Sequence, residues 1–346
     1  MKECSIMLTD LKYIDDDVFE QIKNYTIDSN DLYLTIAGTI GSVGIIPKEV
    51  SGMNLTENAA KLTNISCVKE YLLYALLSST AQEHFTSKFH QVAQPKLSIE
   101  TASTTPIALP SINEQIRIVS EIERTLKLID GINNNRNELQ TAIKQAKRKI
   151  LDLAIHGKLV PQDPNDEPAT ELLKRINPKA EITCDTPQYG KLPKGWCLCK
   201  ISSVVDIVNG KSQKNVESPT GKYPIYGSGG IIGKAMEYTC LAGSTIIGRK
   251  GTINHPIFVE ENFWNVDTAF GMKANNQILE DKYFYCFCLY FDFSKLDKSS
   301  ALPSLTKTAI GNLILPIPPL AEQQRIVAKI EELFSQLDKI ESSLQA

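Results

Sequence analysis

The 346-residue chain is 42% hydrophobic and 22% charged with a mean hydropathy of −0.15, a composition that supplies globular cores. No apolar run approaches the ~18 residues of a membrane span, the start MKECSIMLTD lacks the apolar stretch of a signal peptide, and eight cysteines without a C-x-x-C pair read as reduced thiols of a cytoplasmic protein. The net charge of −3 argues at face value against a nucleic-acid partner. However, residues 1–110 carry 8 Lys and Arg against 13 Asp and Glu, whereas residues 192–318 carry 13 against 10. Only the later segment is basic, and mildly so; if the chain binds DNA, a partner is expected to supply further positive surface.

Taken in chain order, β-rich pieces broken by Gly, Asn and Pro precede a predicted helix over 68–88. A polar loop and a short proline-ended strand lead to a long helix over Ile112–Ile155, where Ser111 and Glu114 have capping-box spacing. Its apolar positions, Val119, Ile122, Leu126, Ile129, Ile132, Leu139, Ile143, Ala146, Ile150 and Leu153, advance by threes and fours like a coiled-coil seam. A skipped step beside Asp130–Gly131 and Asn133–Asn135 predicts a local distortion. A turn, a proline-rich loop and a short helix capped by Thr170 follow, then a linker over 179–191. A second domain opens at LPKGW (192–196), with strands over 201–208, Ser244–Gly248 and 256–259 and a helix over 280–296. A second long helix starts near Pro319, with a seam at Ile326, Ile330, Leu333, Leu337, Ile340 and Leu344. Two such stripes can pack antiparallel.

An internal repeat organises these elements. Residues 93–119 align without a gap with 301–327 at an offset of 208, sharing Pro95, Leu97, Pro110, Glu114, Gln115, Arg117, Ile118 and Val119 with their counterparts. Upstream, IAGTIGSVGIIP (36–47) pairs with IIGRKGTINHPI (246–257) at an offset of 210, which sets Thr39–Ile40 opposite Arg249–Lys250, and TENAA (56–60) pairs with VDTAF (266–270). Domain, helix, domain, helix is the expected order, in an α+β protein with two mixed α/β recognition domains joined by long antiparallel coiled-coil helices. The expected boundaries are 1–110, 111–191, 192–318 and 319–346.

Catalytic motifs are not recognisable. GSGGIIGKA (227–235) places Ser228 and Ala235 where a phosphate-binding loop needs Gly and Ser or Thr, and it is not G-x-G-x-x-G. The four histidines are scattered without metal-ligand spacing. Glu280–Asp281–Lys282 imitates part of a nuclease motif, but it reads better as the acidic first turn of a helix. No catalytic or metal-binding residue is assigned.

LPKGW (192–196), YPIYGSGGIIGK (223–234), IIGRKGTI (246–253) and ALPSLTKTAIGNLILPIPPLAEQQRIVAKIEELF (301–334), in this order, strongly resemble type I restriction–modification DNA specificity (S) subunits. ILDLAIHGKLVPQDPNDEPATELLKRI (150–176) resembles that family's central conserved region. The resemblance implies a non-catalytic subunit whose two target-recognition domains each read half of a bipartite site in double-stranded DNA. It implies helices that set the spacing and dock methyltransferase (M) subunits, which act with restriction (R) subunits. S-adenosylmethionine, ATP and Mg²⁺ would be used by those subunits, with no cofactor bound by this chain and no membrane partner. It also implies that the first recognition domain is N-terminally incomplete, since no LPKGW-like opening precedes it.

Bases and phosphates are read by Arg, Lys, Asn, Gln, Ser and backbone N–H groups. In the second domain the candidates are Lys211, Gln213, Lys214, Tyr226, Ser228, Lys234, Arg249, Lys250, Asn254, His255, Ser300, Ser304 and Lys307. Arg249–Lys250 stands out as two cations in a glycine-bounded turn. First-domain counterparts are Thr39, Ser42, Lys88, His90, Gln91, Gln94 and Lys96. Gln115, Arg117, Gln323, Gln324 and Arg325 either face M subunits or hold the helix entries together. The alternative function is a scaffold that keeps the helices but reads DNA poorly. A stand-alone nuclease or methylase is the third class, and the absence of recognisable motifs weighs against it.

Overall fold

The computed structural model describes residues 4–6, 8–9, 11–87, 95–183, 185–186, 188–296 and 304–344. Backbone contacts divide the chain into two compact units, Met1–Asn134 and Asn135–Ala346.

In the first unit, α1 (Asp16–Ile22) precedes β1 (Leu32–Thr35), β2 (Val43–Ile45) and β3 (Ala59–Leu62). β1 lies between the other two, antiparallel to both, with Leu32 opposite Ile45 and Leu62. The two-residue period of a strand sends Leu32 and Leu34 to one face, against Leu73, Leu76, Phe85 and Leu97. It sends Tyr33 to the other, against Ile27, Ile46 and Val50, so all of β1 is buried. The helix expected over 68–88 is two helices, α2 (Lys69–Leu77) and α3 (Ser79–Thr86), because Ser78 is extended between them (φ −63°, ψ 153°). α4 (Ile99–Ser103) is capped by Ser98, whose Oγ accepts from the Thr101 N–H at 3.0 Å. α5 (Ile112–Ile155) then runs unbroken for 44 residues. The stretch near 130–135 does not interrupt it, since a lone glycine costs a helix only about 1 kcal/mol.

In the second unit, α6 (Ala169–Ile176) has Pro168, not Thr170, at its N-cap. β4 (Ile182–Thr183), β5 (Asp185–Thr186), β6 (Gly190–Lys191), β7 (Cys197–Lys200) and β8 (Val205–Asn209) follow. Next come β9 (Tyr223–Gly227), β10 (Gly230–Ala235), β11 (Ser244–Gly248), β12 (Ile257–Val259), β13 (Trp264–Asn265) and β14 (Ala269–Ala274). The chain continues with α7 (Asp281–Tyr290), α8 (Lys307–Gly311), β15 (Ile314–Ile317) and α9 (Leu320–Ser343). Three sheets carry the unit, in the orders β12-β11-β14-β8, β10-β9-β13 and β15-β7-β4, and β5 pairs with β6. Among the described strand pairs of this unit, only β13 and β9 run parallel. The helix expected over 280–296 ends at Tyr290, where Phe291 turns extended, and a 3-10 turn occupies Phe293–Leu296. Thr306 caps α8 through the Ala309 N–H at 3.1 Å, repeating Ser98 at the 208-residue interval. α7 buries Tyr283, Phe284 and Phe287 in one core with Trp196, Leu198, Phe270, Met272, Leu315 and Ile326. Cys197, Cys199, Cys240, Cys286 and Cys288 are buried thiols. Burial pushes Cys240 up to about 11 and Cys199 and Cys286 up to about 12, which keeps them protonated and inert.

α9 runs antiparallel to the end of α5. Lys147 ion-pairs with Asp338 (2.6 Å) and Glu341 (3.1 Å), while Gln162, just beyond α5, donates to Glu322 at the start of α9 (3.1 Å). The expected seam is therefore only partly closed. Val119 and Ile143 are buried, but Leu126, Ile129, Ile132 and Leu139 are exposed. α9 ends opposite Lys147, short of Leu139.

Candidate nucleic-acid interface

In the second unit the strand ends converge on one turn. β11 ends at Gly248, and the next two residues are fixed by the backbone: the Arg249 and Lys250 N–H groups both donate to the Thr268 carbonyl, at 2.7 and 3.4 Å. The Arg249 carbonyl accepts from the Leu305 N–H at 2.9 Å, and Lys250 bridges Ser304. Gly251 closes the turn at φ +77°. No side chain fits at Gly248, where a Cβ would stand 1.9 Å from the Thr252 carbonyl oxygen and 3.1 Å from the Ser228 Cβ. The backbone of this turn and the tip of the β9–β10 hairpin therefore touch. Lys211 is positioned from the other side. Its N–H donates to the Asn265 carbonyl (2.9 Å) and its carbonyl accepts from Trp264 Nε1 (3.1 Å). Asn265 is fully buried and ties the segment together. Its Nδ2 donates to Val208 and Ala269 carbonyls, and its Oδ1 accepts from the Thr239 hydroxyl (2.7 Å).

Lys211, Ser228, Arg249, Lys250 and the Thr268 carbonyl thus share one region; Lys211 and Lys250 are exposed and Arg249 half-exposed. Thr268 and Asn265 were not singled out from sequence, although the pairing of TENAA with VDTAF ran through Thr268. Gln213 accepts backbone N–H groups of Val216 and Glu217 in a turn beside exposed Lys214. Lys234, His255 and Lys307 are exposed. Two candidates have structural duties instead. Tyr226 packs edge-on against Phe263 at 5.4 Å, and burial raises its phenol pKa. Asn254 donates to Asp292 Oδ1 and accepts from the Phe293 N–H, both at 2.7 Å, and so holds the chain after α7. Ser300 lies outside the described residues.

The first unit builds the same turn from different residues. Ile36 and Ala37 N–H groups both donate to the Asn58 carbonyl (2.8 and 3.2 Å), the Ile36 carbonyl accepts from Leu97 N–H (2.8 Å), Ala37 bridges Lys96, and Gly38 follows at φ +74°. Bond for bond, Ile36–Ala37–Gly38 corresponds to Arg249–Lys250–Gly251. This corrects the pairing with Thr39–Ile40: the true interval is 213, and it brings GTI (38–40) onto GTI (251–253). The first turn therefore lacks both cations, and Ile36 is buried. Thr39 is exposed, and its carbonyl accepts from Thr35 Oγ1; the Ser42 N–H also donates to Thr35 Oγ1 (3.0 Å). Lys96 is exposed. Lys88, His90, Gln91 and Gln94 lie outside the described residues.

The helix entries also split. Gln323 is wholly buried; its Oε1 accepts from the Glu280 N–H (2.7 Å), and its Nε2 donates to the Ile278 (2.9 Å) and Pro318 (3.0 Å) carbonyls. Gln115 repeats this in the first unit, accepting from the Val68 N–H and donating to the Pro110 carbonyl, both at 2.8 Å. Each glutamine latches the N-cap of its unit's helix, α7 or α2, onto the start of the long helix. Neither can face a partner, so of the two roles weighed for them only the structural one remains. Arg325 pairs with Asp166 at 2.5 Å, while Arg117 and Gln324 are exposed. Beside them, Glu322 is buried and accepts from Trp196 Nε1 (3.0 Å), and its burial raises the carboxyl pKa above the ordinary range. Among the described residues no cluster of His, Cys, Asp or Glu could hold a metal, and no helix is long and apolar enough to cross a membrane.

Several known proteins are similar to this chain. The Type I restriction enzyme EcoAI specificity subunit of Escherichia coli is 25% identical over 254 residues, covering 58% of this chain and 41% of that protein. The chain thus aligns with about two fifths of that relative. A chain from work on complex assembly and conformational transition of the type I R-M system superposes with a TM-score of 0.67 at 18% identity, covering 92% of this chain and 78% of that one. The HsdS subunit from Thermoanaerobacter tengcongensis gives 0.56 at 18% identity, with coverage of 92% and 76%. At such identity these two establish the fold. The model of the Type I restriction modification DNA specificity domain matches residues 9–141 and 193–346, and the chain belongs to that family.

Proposed function

We propose that this chain is a non-catalytic specificity subunit that reads double-stranded DNA and directs methyltransferase and restriction subunits to a bipartite site. S-adenosylmethionine, ATP and Mg²⁺ act in those other subunits. The observation that carries the proposal is the Thr268-anchored turn, which presents Arg249 and Lys250 next to Lys211 and Ser228. Backbone anchoring fixes the two cations without using their side chains, as a reader of phosphates and base edges requires. The mild positive charge of residues 192–318 supports the same face. The proposed working compartment is the cytoplasm.

A second reading is favoured for the first unit alone. With Ile36–Ala37 in the equivalent turn, that unit acts chiefly as scaffold, and the second unit dominates recognition. The test is methyl transfer from labelled S-adenosylmethionine to DNA by the neighbouring methyltransferase subunit, with and without this chain. Transfer at a discrete motif only when both are present is expected. A one-part motif supports the scaffold role of the first unit, and transfer independent of this chain refutes the proposal. In the assembled complex, Arg249→Ala/Lys250→Ala should reduce the slope of log affinity against log salt by about 2, one counterion per lost phosphate contact. An unchanged slope removes this turn from the interface.

A further inference from the structure

The β9–β10 hairpin carries a feature that charge alone does not explain. Along β10, Ile231 pairs with Tyr226 and Gly233 with Ile225, so Ile232 has no partner and the register shifts at that point. In a regular strand neighbouring side chains alternate between faces, so one of two adjacent isoleucines would be covered. A bulge re-aims side chains and breaks the alternation. Here Ile231 remains 64% exposed and Ile232 55% exposed. β10 is an edge strand. A bulge alone blunts an edge against unwanted pairing, but two bare isoleucines work against that purpose, so they need another reason.

Their position supplies one. The hairpin tip, Gly227–Ser228–Gly229–Gly230, offers almost no side-chain bulk. A Cβ at Gly227 would lie 3.8 Å from both Ile232 Cγ2 and Thr268 Oγ1, and Thr268 is the residue whose carbonyl anchors Arg249 and Lys250. Ser228 in the same tip stands so close to Gly248 that a Cβ there would lie 3.1 Å from its own Cβ. Ile232 therefore adjoins the proposed cationic turn, with Ile231 next to it in the chain and exposed Lys234 just beyond. Apolar side chains framed by cations suit a duplex: the cations meet phosphates, while the isoleucines meet apolar groups that bases expose in a groove, chiefly the thymine methyl.

We propose that Ile231 and Ile232 are specificity-determining residues that contact base edges of the second half-site, an inference that rests on the DNA-reading proposal above. They add discrimination and no charge neutralisation, which separates them from Arg249 and Lys250.

The test uses the full chain with its methyltransferase subunits, a duplex bearing the motif mapped with the wild-type complex, and a scrambled duplex of equal composition. Ile231→Ala/Ile232→Ala should lower the ratio of specific to non-specific affinity by about tenfold, in the range of losing one base contact, and leave the salt slope unchanged. Replacing thymine by deoxyuridine at successive positions of the half-site should weaken the wild type at one or two positions and the variant at none of them. Both side chains are exposed, so the melting temperature should not move; Ile231→Thr/Ile232→Thr keeps the β-branched shape if the alanine pair folds poorly. An unchanged ratio overturns the inference, as does a reduced salt slope. Loss of methyltransferase binding with normal DNA discrimination also overturns it and makes the pair a protein contact. If Arg249→Ala/Lys250→Ala weakens DNA binding while the isoleucine variant does not, this inference alone fails. If neither variant has any effect, the cationic turn leaves the interface as well; the DNA-reading proposal itself fails only if the wild-type complex yields no discrete motif.

Discussion

Truncating Gln323 to alanine should loosen the second unit far more than its modest chemistry suggests. The side chain is fully buried and satisfies three backbone groups, the Glu280 N–H and the Ile278 and Pro318 carbonyls. Alanine leaves these groups without partners and opens a small cavity beneath α9. A buried polar group left unpaired costs about 1–3 kcal/mol, and the carbonyls lose less because water or a second neighbour can reach them. The total is about 3–5 kcal/mol. For a unit of this size each kcal/mol lowers the midpoint by about 2–4 °C, so the transition of the second unit should fall by roughly 10 °C. Differential scanning calorimetry of the full chain, beside the exposed neighbour Gln324→Ala at under about 0.5 kcal/mol, measures it. A loss below about 1 kcal/mol for Gln323→Ala would refute the latch. Gln115→Ala should act in the same direction on the first unit, by less, because it satisfies two groups instead of three.

Two further outcomes follow from the same packing. Burial holds the Glu322 carboxyl above its ordinary pKa, so the folded state binds this proton more tightly than the unfolded chain, and the stability linked to it fades as pH rises through the folded value. Denaturant unfolding should therefore show wild type gaining on Glu322→Gln as pH is lowered from 7.5 toward 5, and a gain in the opposite direction contradicts the burial argument. Gly248→Ala places a Cβ 1.9 Å from the Thr252 carbonyl oxygen, so the turn must shift. A loss of about 1–3 kcal/mol, together with weakened DNA binding, is expected from melts and a binding titration, and a variant as stable as wild type disproves the contact.

How much of this was legible beforehand depends on how local the cause was. The long helix from Ile112 follows from local periodicity and was legible, whereas the short helices capped by Ser98 and Thr306 were not anticipated, although their capping rule is equally local. The turn at Arg249 was legible as a glycine-bounded cation pair. Its first-unit counterpart lies three residues from the position that matching IAG with IIG predicts, because GTI is the structural match. Backbone bonds to Asn58 and Thr268 decided the register.

By itself the sequence determined the order of elements, the duplication and the family, because periodicity, caps and repeated motifs are written along the chain. Only the tertiary structure decided which polar residues are available. Gln323 and Arg325 stand two positions apart in one motif, yet one is sealed beneath a helix N-terminus and the other pairs with Asp166 at the surface. Asn254 sits three residues beyond the cationic turn but is spent on Asp292 and Phe293. Burial and hydrogen-bond partnership come from segments tens of residues away, and local spacing carries no record of them.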